Sequence, residues 1–235
     1  MARSRPPRPD PVAARAFQKR LLSWYRRHGR DLPWRDTTDP YKILVSEIML
    51  QQTQVERVIP KYHEFLSRYP SVEDLASSPV NDVTRTWYPL GYNIRPVRLH
   101  GIAREAVARY GGAIPSSEEE LLSMKGIGRY TAGAVRSFAF GIDAPILDTN
   151  VARVLSRVFL PTADPKRGAA RTKLWSLSAA LIPRGKGYDF NQALMDFGAT
   201  VCTARKPSCP SCTMRTICKT YRPATPRRAN RRRSG

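Results

Sequence analysis

The sequence predicts an all-α protein built as two helical subdomains flanking a cleft, closed near its C-terminal end by a loop with four cysteines. Three observations carry that reading. Apolar residues recur at helical spacing along most of the chain, as in Phe17, Leu21, Leu22, Trp24 and Tyr25. Start and stop signals separate these segments, among them Gly111-Gly112, Gly141 and candidate caps at Ser116 and Asp148. No alternating apolar and polar run is long enough to make a sheet.

The elements follow in order. Val12 to His28 forms the first helix. Tyr41 to Tyr69 holds two helices broken near Pro60, because an internal proline removes a donor and crowds the preceding turn. Ser71 to Leu75 opens a short helix. Arg95 to Tyr110 is amphipathic and stops at the glycine pair. Ser116 with Glu119 reads as a capping box ahead of Leu121 and Leu122. Tyr130 to Phe140 is a small-residue helix, Asp148 caps Val151 to Phe159, and Ala169 to Ile182 and Phe190 to Val201 complete the set.

The 235 residues suit one large domain or two small ones. Residues 41–147 form a six-helix subdomain. Residues 12–40 and 148–201 form a second from the terminal helices, and a chain that starts and ends in one unit leaves a cleft against the other. Residues 202–221 are the cysteine loop. Residues 1–11 and 222–235 are basic, lack periodicity and read as disordered.

The formal charge is +21, from 40 Lys and Arg against 19 Asp and Glu, which points to a polyanionic partner. Arg227, Arg228, Arg231, Arg232 and Arg233 lie in the tail, and without them the body stays strongly basic. The stretch from Met1 to Pro11 has no apolar core, so no secretory leader is expected. No apolar run approaches the ~20 residues that span a bilayer. A monomer in the cytoplasm, associated with the nucleoid, is expected.

Met124-Lys125-Gly126-Ile127-Gly128-Arg129-Tyr130 lies between two predicted helices. Two glycines one residue apart permit a tight turn with positive φ and let backbone amides approach a phosphate. Lys125 and Arg129 add charge. This is the pattern of a helix–hairpin–helix element that grips DNA backbone without reading sequence. An ordinary turn between packed helices has the same glycines.

Cys202, Cys209, Cys212 and Cys218 are the only cysteines, spaced C-x6-C-x2-C-x5-C. Clustered thiols in a basic chain without a secretory signal suit a reducing compartment and metal ligation. Four sulfurs on one coil read as an iron–sulfur cluster or an all-thiolate zinc site. The same loop carries Arg205, Lys206, Arg215 and Lys219, spaced to meet phosphates or simply to be solvated.

Several stretches together resemble a known family. They are Val45-Ser46-Glu47-Ile48-Met49-Leu50-Gln51-Gln52-Thr53-Gln54-Val55, Leu90-Gly91-Tyr92, Gly126-Ile127-Gly128-Arg129-Tyr130-Thr131-Ala132-Gly133-Ala134, Ile146-Leu147-Asp148-Thr149-Asn150-Val151, and Met195-Asp196-Phe197-Gly198-Ala199 leading into the cysteines. The chain resembles the helix–hairpin–helix base-excision DNA glycosylases with an iron–sulfur loop, and within them the catalytic domain of MutY-type adenine DNA glycosylases. The likeness runs from about Leu32 to Tyr221. It implies a [4Fe–4S] cluster on the four cysteines. Family members carry a further C-terminal domain that helps recognise 8-oxoguanine, and this chain is expected to stop short of it.

Releasing adenine requires protonation of the leaving base and stabilisation of a cationic sugar, work that two carboxyls in different environments can divide. Glu47 lies among Ile43, Leu44, Ile48, Met49 and Leu50. By periodicity it is a solvent-facing glutamate on an amphipathic helix; in an apolar setting desolvation would raise its pKa. The resemblance implies that Glu47 protonates adenine N7. Asp148 reads as a helix cap kept ionised by amides and the helix dipole. The resemblance implies that it faces the anomeric carbon, with Asn150 beside it. Tyr130 stands where relatives similar to endonuclease III carry a lysine that forms a Schiff base. Little lyase activity is therefore expected.

The target base must leave the duplex, and something must fill the gap. By resemblance the wedges are Gln51 or Gln52 on one side and Tyr92 on the other. Trp34 and Arg35 resemble part of the pocket wall. The expected partner is double-stranded DNA with a mismatched or damaged base pair. Two other functions fit the sequence. One is a thymine or uracil glycosylase at G:T or G:U mismatches, because Pro183 to Met195, with Gly185-Lys186-Gly187 and Asp189-Phe190-Asn191, is similar to archaeal mismatch glycosylases. The other is a non-catalytic iron–sulfur protein that only binds DNA.

Overall fold

The structure is a computed structural model describing residues 9–165 and 167–221. Among these residues it is helical throughout, with no strand. The tail arginines from Arg227 onward and most of the expected irregular N-terminus lie outside the described residues. Residues 10 and 11 are structured. Asp10 caps α1 (Pro11–His28) by accepting from Ala13 N at 2.8 Å, and Pro11 opens the helix, where its missing N–H costs nothing.

Residues 40–138 carry seven helices rather than six: α2 (Pro40–Met49), α3 (Val55–Arg68), α4 (Val72–Ser77), α5 (Val80–Trp87), α6 (Ile94–Tyr110), α7 (Glu118–Ser123) and α8 (Arg129–Phe138). The unforeseen one is α5. Eight residues with no side-chain cap and only Val83, Thr86 and Trp87 buried give little periodicity to read. Two boundaries also move. Pro60 sits inside α3, and the break falls instead at residues 50–54, where Gln52 takes φ 57°. The α7 cap is Ser117, not Ser116; its hydroxyl accepts from Glu120 N, while the Ser116 carbonyl accepts from Arg136.

The remaining helices are α9 (Thr149–Phe159), α10 (Gly168–Leu181) and α11 (Gly187–Thr200). Packing divides them into two groups. α2 lies against α8, α3 and α6, with α4 and α5 also on α6. α1 packs on α11, α11 on α9, and α9 on α10, while α11 also touches α8. Phe17 of α1 meets Phe159 and Phe190 edge-on at 5.1 and 6.2 Å, which joins three helices of the second group. Asp196 on α11 is fully buried and accepts from Arg30 and Arg35, so the segment after α1 is tied to α11 by a buried ion network.

α2 decides where Glu47 sits. Asp39 caps it from Tyr41 N at 2.8 Å and Pro40 starts it. Its side chains Tyr41, Ile43, Leu44, Val45, Ile48 and Met49 are all buried. A helix apolar all round has no solvent face. Glu47 therefore goes into the interior with its neighbours, not to the surface as an amphipathic pattern would put it.

Candidate functional site

Glu47 is 4% exposed, and its Oε2 has no hydrogen-bond partner. Burial pushes its pKa from the ordinary carboxyl value up to about 7. The Tyr130 hydroxyl offsets part of that rise, the charge of Asp148 adds to it, and Arg35 subtracts from it. Tyr130 stands in the first turn of α8 and donates to Met195 Sδ at 3.4 Å. Burial carries its phenol well above the ordinary tyrosine value. Residues from α2, α8 and the start of α9 thus converge between the two helix groups, and each senses the others' charge.

Asp148 is the N-cap of α9. Its Oδ1 accepts from Val151 N at 2.6 Å and its Oδ2 from Asn150 Nδ2 at 3.0 Å. The expectation that capping would dominate its ionisation is corrected. Burial is the larger effect and moves the pKa upward, while the capping amide, Asn150 and Arg153 pull it back. Asn150 is held in turn by Arg153, whose Nη2 donates to Asn150 Oδ1 at 2.6 Å and to the Gly198 carbonyl at 2.7 Å. A side chain at Gly198 would meet Asn150 Cβ at 2.7 Å, so this close approach requires glycine. Arg153 Nε also donates to the Cys202 carbonyl at 2.7 Å, and Arg157 Nη1 reaches Cys202 Sγ at 3.5 Å and Thr203 O at 2.8 Å. Neither arginine is singled out by the sequence. The signal was Asn150, Arg153 and Arg157 on one face of α9 at helical spacing.

The four cysteines are half-buried and line a single cavity of about 570 Å³ with Val158, Phe197, Val201 and Met214. Among the described residues no three His, Cys, Asp or Glu side chains converge tightly enough to grip one metal ion. Burial raises the Cys212 thiol, Met214 N–H lowers it, and the other three thiols raise it again. Four cysteine sulfurs around one apolar hollow are the donor set that an iron–sulfur cluster or an all-thiolate metal site uses.

In the hairpin only Gly126 uses positive φ, at 113°, with Arg98 Cβ 3.3 Å from where its own Cβ would stand. Gly128 is extended and forms the N-cap of α8 in open space, so the first amides of α8 have no side-chain cap. Lys125 is exposed. Arg129 is also exposed but stacks over the Trp175 ring of α10 at 4.2 Å. Arg205 and Lys206 are exposed on the cysteine loop, whereas Arg215 turns back to the Pro210 carbonyl.

Gln52 and Tyr92 are exposed and, among the described residues, are the only non-glycines at positive φ, 57° and 51°. Gln51 is half-buried. Of the expected pocket wall, Arg35 is fixed by Asp196 and by Gln192 at 2.9 Å and lies close enough to bias Glu47. Trp34 is buried edge-on to Tyr62 at 5.5 Å, a core contact. Arg95 also goes unmarked in the sequence: it is 3% exposed on the amphipathic α6, and no local pattern distinguishes it from the other cations there.

Comparison with known proteins places this geometry. Residues 45–180 match the family model described as HhH-GPD superfamily base excision DNA repair protein. The chain is 42% identical over 219 residues to human adenine DNA glycosylase, covering 89% of this chain and 40% of that protein, so it spans about two fifths of that relative's length. It is 40% identical over 210 residues to the thymine-DNA glycosylase of Aeropyrum pernix, covering 88% of this chain and 94% of that protein. The solved structure of a thermostable thymine-DNA glycosylase superposes with a TM-score of 0.83 at 36% identity, covering 89% of this chain and 97% of the other. Taken with the helical hairpin between α7 and α8 and the buried carboxyl beside it, these matches establish that the chain belongs to the HhH-GPD superfamily of base excision DNA repair proteins.

Proposed function

We propose that this chain is a monofunctional DNA glycosylase that flips a mispaired adenine, opposite 8-oxoguanine or guanine, out of double-stranded DNA and hydrolyses its N-glycosidic bond. The observation that carries the reading is the unpartnered Glu47 Oε2 in a carboxyl with a pKa of about 7, set beside Asp148 and Tyr130. An acid of that strength is still protonated in half its copies at neutral pH, so it can protonate a leaving base.

The residues divide the reaction as follows. Glu47 gives its proton to adenine N7, and the electron pair of the C1′–N9 bond leaves with the base. The sugar becomes oxocarbenium-like, and the Asp148 carboxylate, held by Val151 N–H and Asn150, stabilises it. Water adds to C1′ and returns a proton to Glu47. Tyr130 offers a phenol and no amine, so no Schiff base forms at its position and strand cleavage is not expected.

DNA binding is supported by the +21 charge and by the uncapped α8 N-terminus beside exposed Lys125, with Arg129, Arg205 and Lys206 as further phosphate contacts. The four-thiol cavity is proposed to hold a [4Fe–4S] cluster, which when bound cross-links the loop; the hydrolysis itself moves no electron. The enzyme is proposed to act as a monomer in the cytoplasm. Among the described residues no helix is long and apolar enough to cross a membrane.

A second reading, a thymine or uracil glycosylase at G:T or G:U pairs, is favoured by the near-full-length match to the Aeropyrum pernix enzyme. Duplexes carrying A:8-oxoguanine, A:G, T:G and U:G, incubated with protein and then alkali, separate the two. Strand breaks at adenine are expected. Breaks confined to T:G and U:G would replace the first reading with the second.

A further inference from the structure

We propose that Arg95 is a positioning residue that locks Gln52 and Tyr92 into one two-pronged wedge, rigid before DNA arrives. The inference rests on the base-extruding function proposed above. The guanidinium lies between two loops that are far apart in sequence. Nη1 donates to the carbonyls of Ile48 at 3.1 Å, Met49 at 2.8 Å and Gln51. Nη2 donates to Thr53 Oγ1 at 3.1 Å and to the carbonyls of Leu90 at 3.2 Å and Gly91 at 3.0 Å. The first set is the C-terminal end of α2 and the residue just before Gln52. The second set is the side chain just after Gln52 and the two carbonyls just before Tyr92. One planar fork therefore ties the two neighbours of Gln52 to the backbone that leads into Tyr92.

The electrostatics explain why a buried cation is tolerated there. No ion pair to a carboxylate joins Arg95 among the described residues. Its charge is met by carbonyl oxygens, including those of Ile48 and Met49 at the C-terminal, negative end of α2. The guanidinium also lies over the rings of Trp87 and Tyr92 at 5.4 and 5.3 Å. Trp87 is buried and anchors the assembly, while Tyr92 is 58% exposed and projects from it. Left-handed φ at a glutamine and a tyrosine persists only when the surroundings over-determine it. Arg95 supplies that constraint for both positions at once. A wedge ordered in advance loses no loop entropy when it enters the gap left by a flipped nucleotide.

The test compares wild type with Arg95→Lys and Thr53→Val. Lysine keeps the charge but has no planar fork to span both loops; Thr53→Val removes one acceptor of the guanidinium, along with the 3.4 Å bond from Thr53 Oγ1 to the Gln51 carbonyl, and spares the core. Thermal melts identify which variants fold, and Thr53→Val carries the test if Arg95→Lys does not. Two readouts are used. One is 2-aminopurine fluorescence from a base adjacent to the target. The other is excision from an A:8-oxoguanine duplex and from a duplex whose target adenine faces an abasic analogue, where the base is already loosened. Expected for Arg95→Lys is DNA affinity within about threefold of wild type, loss of most of the fluorescence rise, and excision down at least about tenfold on the A:8-oxoguanine duplex but only about threefold on the loosened one. Thr53→Val should show the same pattern more weakly. An equal loss on both duplexes, or a full fluorescence rise in the variants, would overturn the proposal. So would a wild-type protein that produces no rise. Absence of base release by wild type would refute the glycosylase reading alone, because the fluorescence arm needs no chemistry.

Discussion

Replacing Glu47 with glutamine should stabilise the protein while abolishing its chemistry. The folded-state pKa is raised from 4.5 to about 7 because the carboxylate is buried with its Oε2 left without a hydrogen-bond partner, and the Tyr130 hydroxyl and Arg35 offset only part of that cost. The sign follows from linkage: the unfolded chain releases this proton near 4.5 and the folded chain only near 7. Stability is therefore full below the unfolded value, falls as pH rises between the two, and is flat above 7. At about 1.4 kcal/mol per pKa unit, the accumulated penalty at pH 8 is about 3 kcal/mol, and at pH 5 it is under about 1 kcal/mol. Glutamine stays neutral and escapes it. Urea melts of Glu47→Gln and wild type at pH 5 and pH 8, followed by far-UV circular dichroism, should show a gap that widens by roughly 2–3 kcal/mol toward alkaline pH. Any fixed cost of burying the amide cancels in that difference. In heating scans the pH 8 gap corresponds to roughly 6–12 °C for a chain of this size. A gap independent of pH would mean that Glu47 is not a desolvated acid, and its proposed role as proton donor would go with it.

Other outcomes follow from the same geometry. Excision by wild type should decline as pH rises through about 7, as Glu47 loses the proton it must donate; single-turnover rates from pH 5.5 to 9 read this, and a flat profile would argue against acid catalysis. Asp148→Asn should cut the single-turnover rate by at least about 100-fold while leaving DNA affinity and the fold intact, because asparagine also caps a helix; wild-type turnover would remove Asp148 from the reaction. Serine at any one of Cys202, Cys209, Cys212 or Cys218 should bleach the visible absorption of the purified protein and weaken DNA binding before it touches residual chemistry; unchanged colour in all four variants would refute the cluster.

What the chain declares on its own lies in local spacing. The helical class, the Asp148 cap, the hairpin between α7 and α8 and the four-cysteine loop depend on residues a few positions apart, where backbone geometry dictates what can touch. Even there, neighbouring serines exchanged roles at the α7 cap, and α5 was too short and too weakly periodic to declare itself.

The remaining features arise only from packing. A run of apolar residues cannot say whether its one carboxylate faces water, and only enclosure of α2 by α3, α6 and α8 turned Glu47 into a weak acid. Asp148 looked like a carboxyl governed by its cap, until burial outweighed the cap. Arg95 reads as one more cation on a basic helix, yet it bonds carbonyls 46 and 47 residues away. Desolvation and long-range donor geometry depend on which surfaces packing brings together, and no short stretch of chain contains that information.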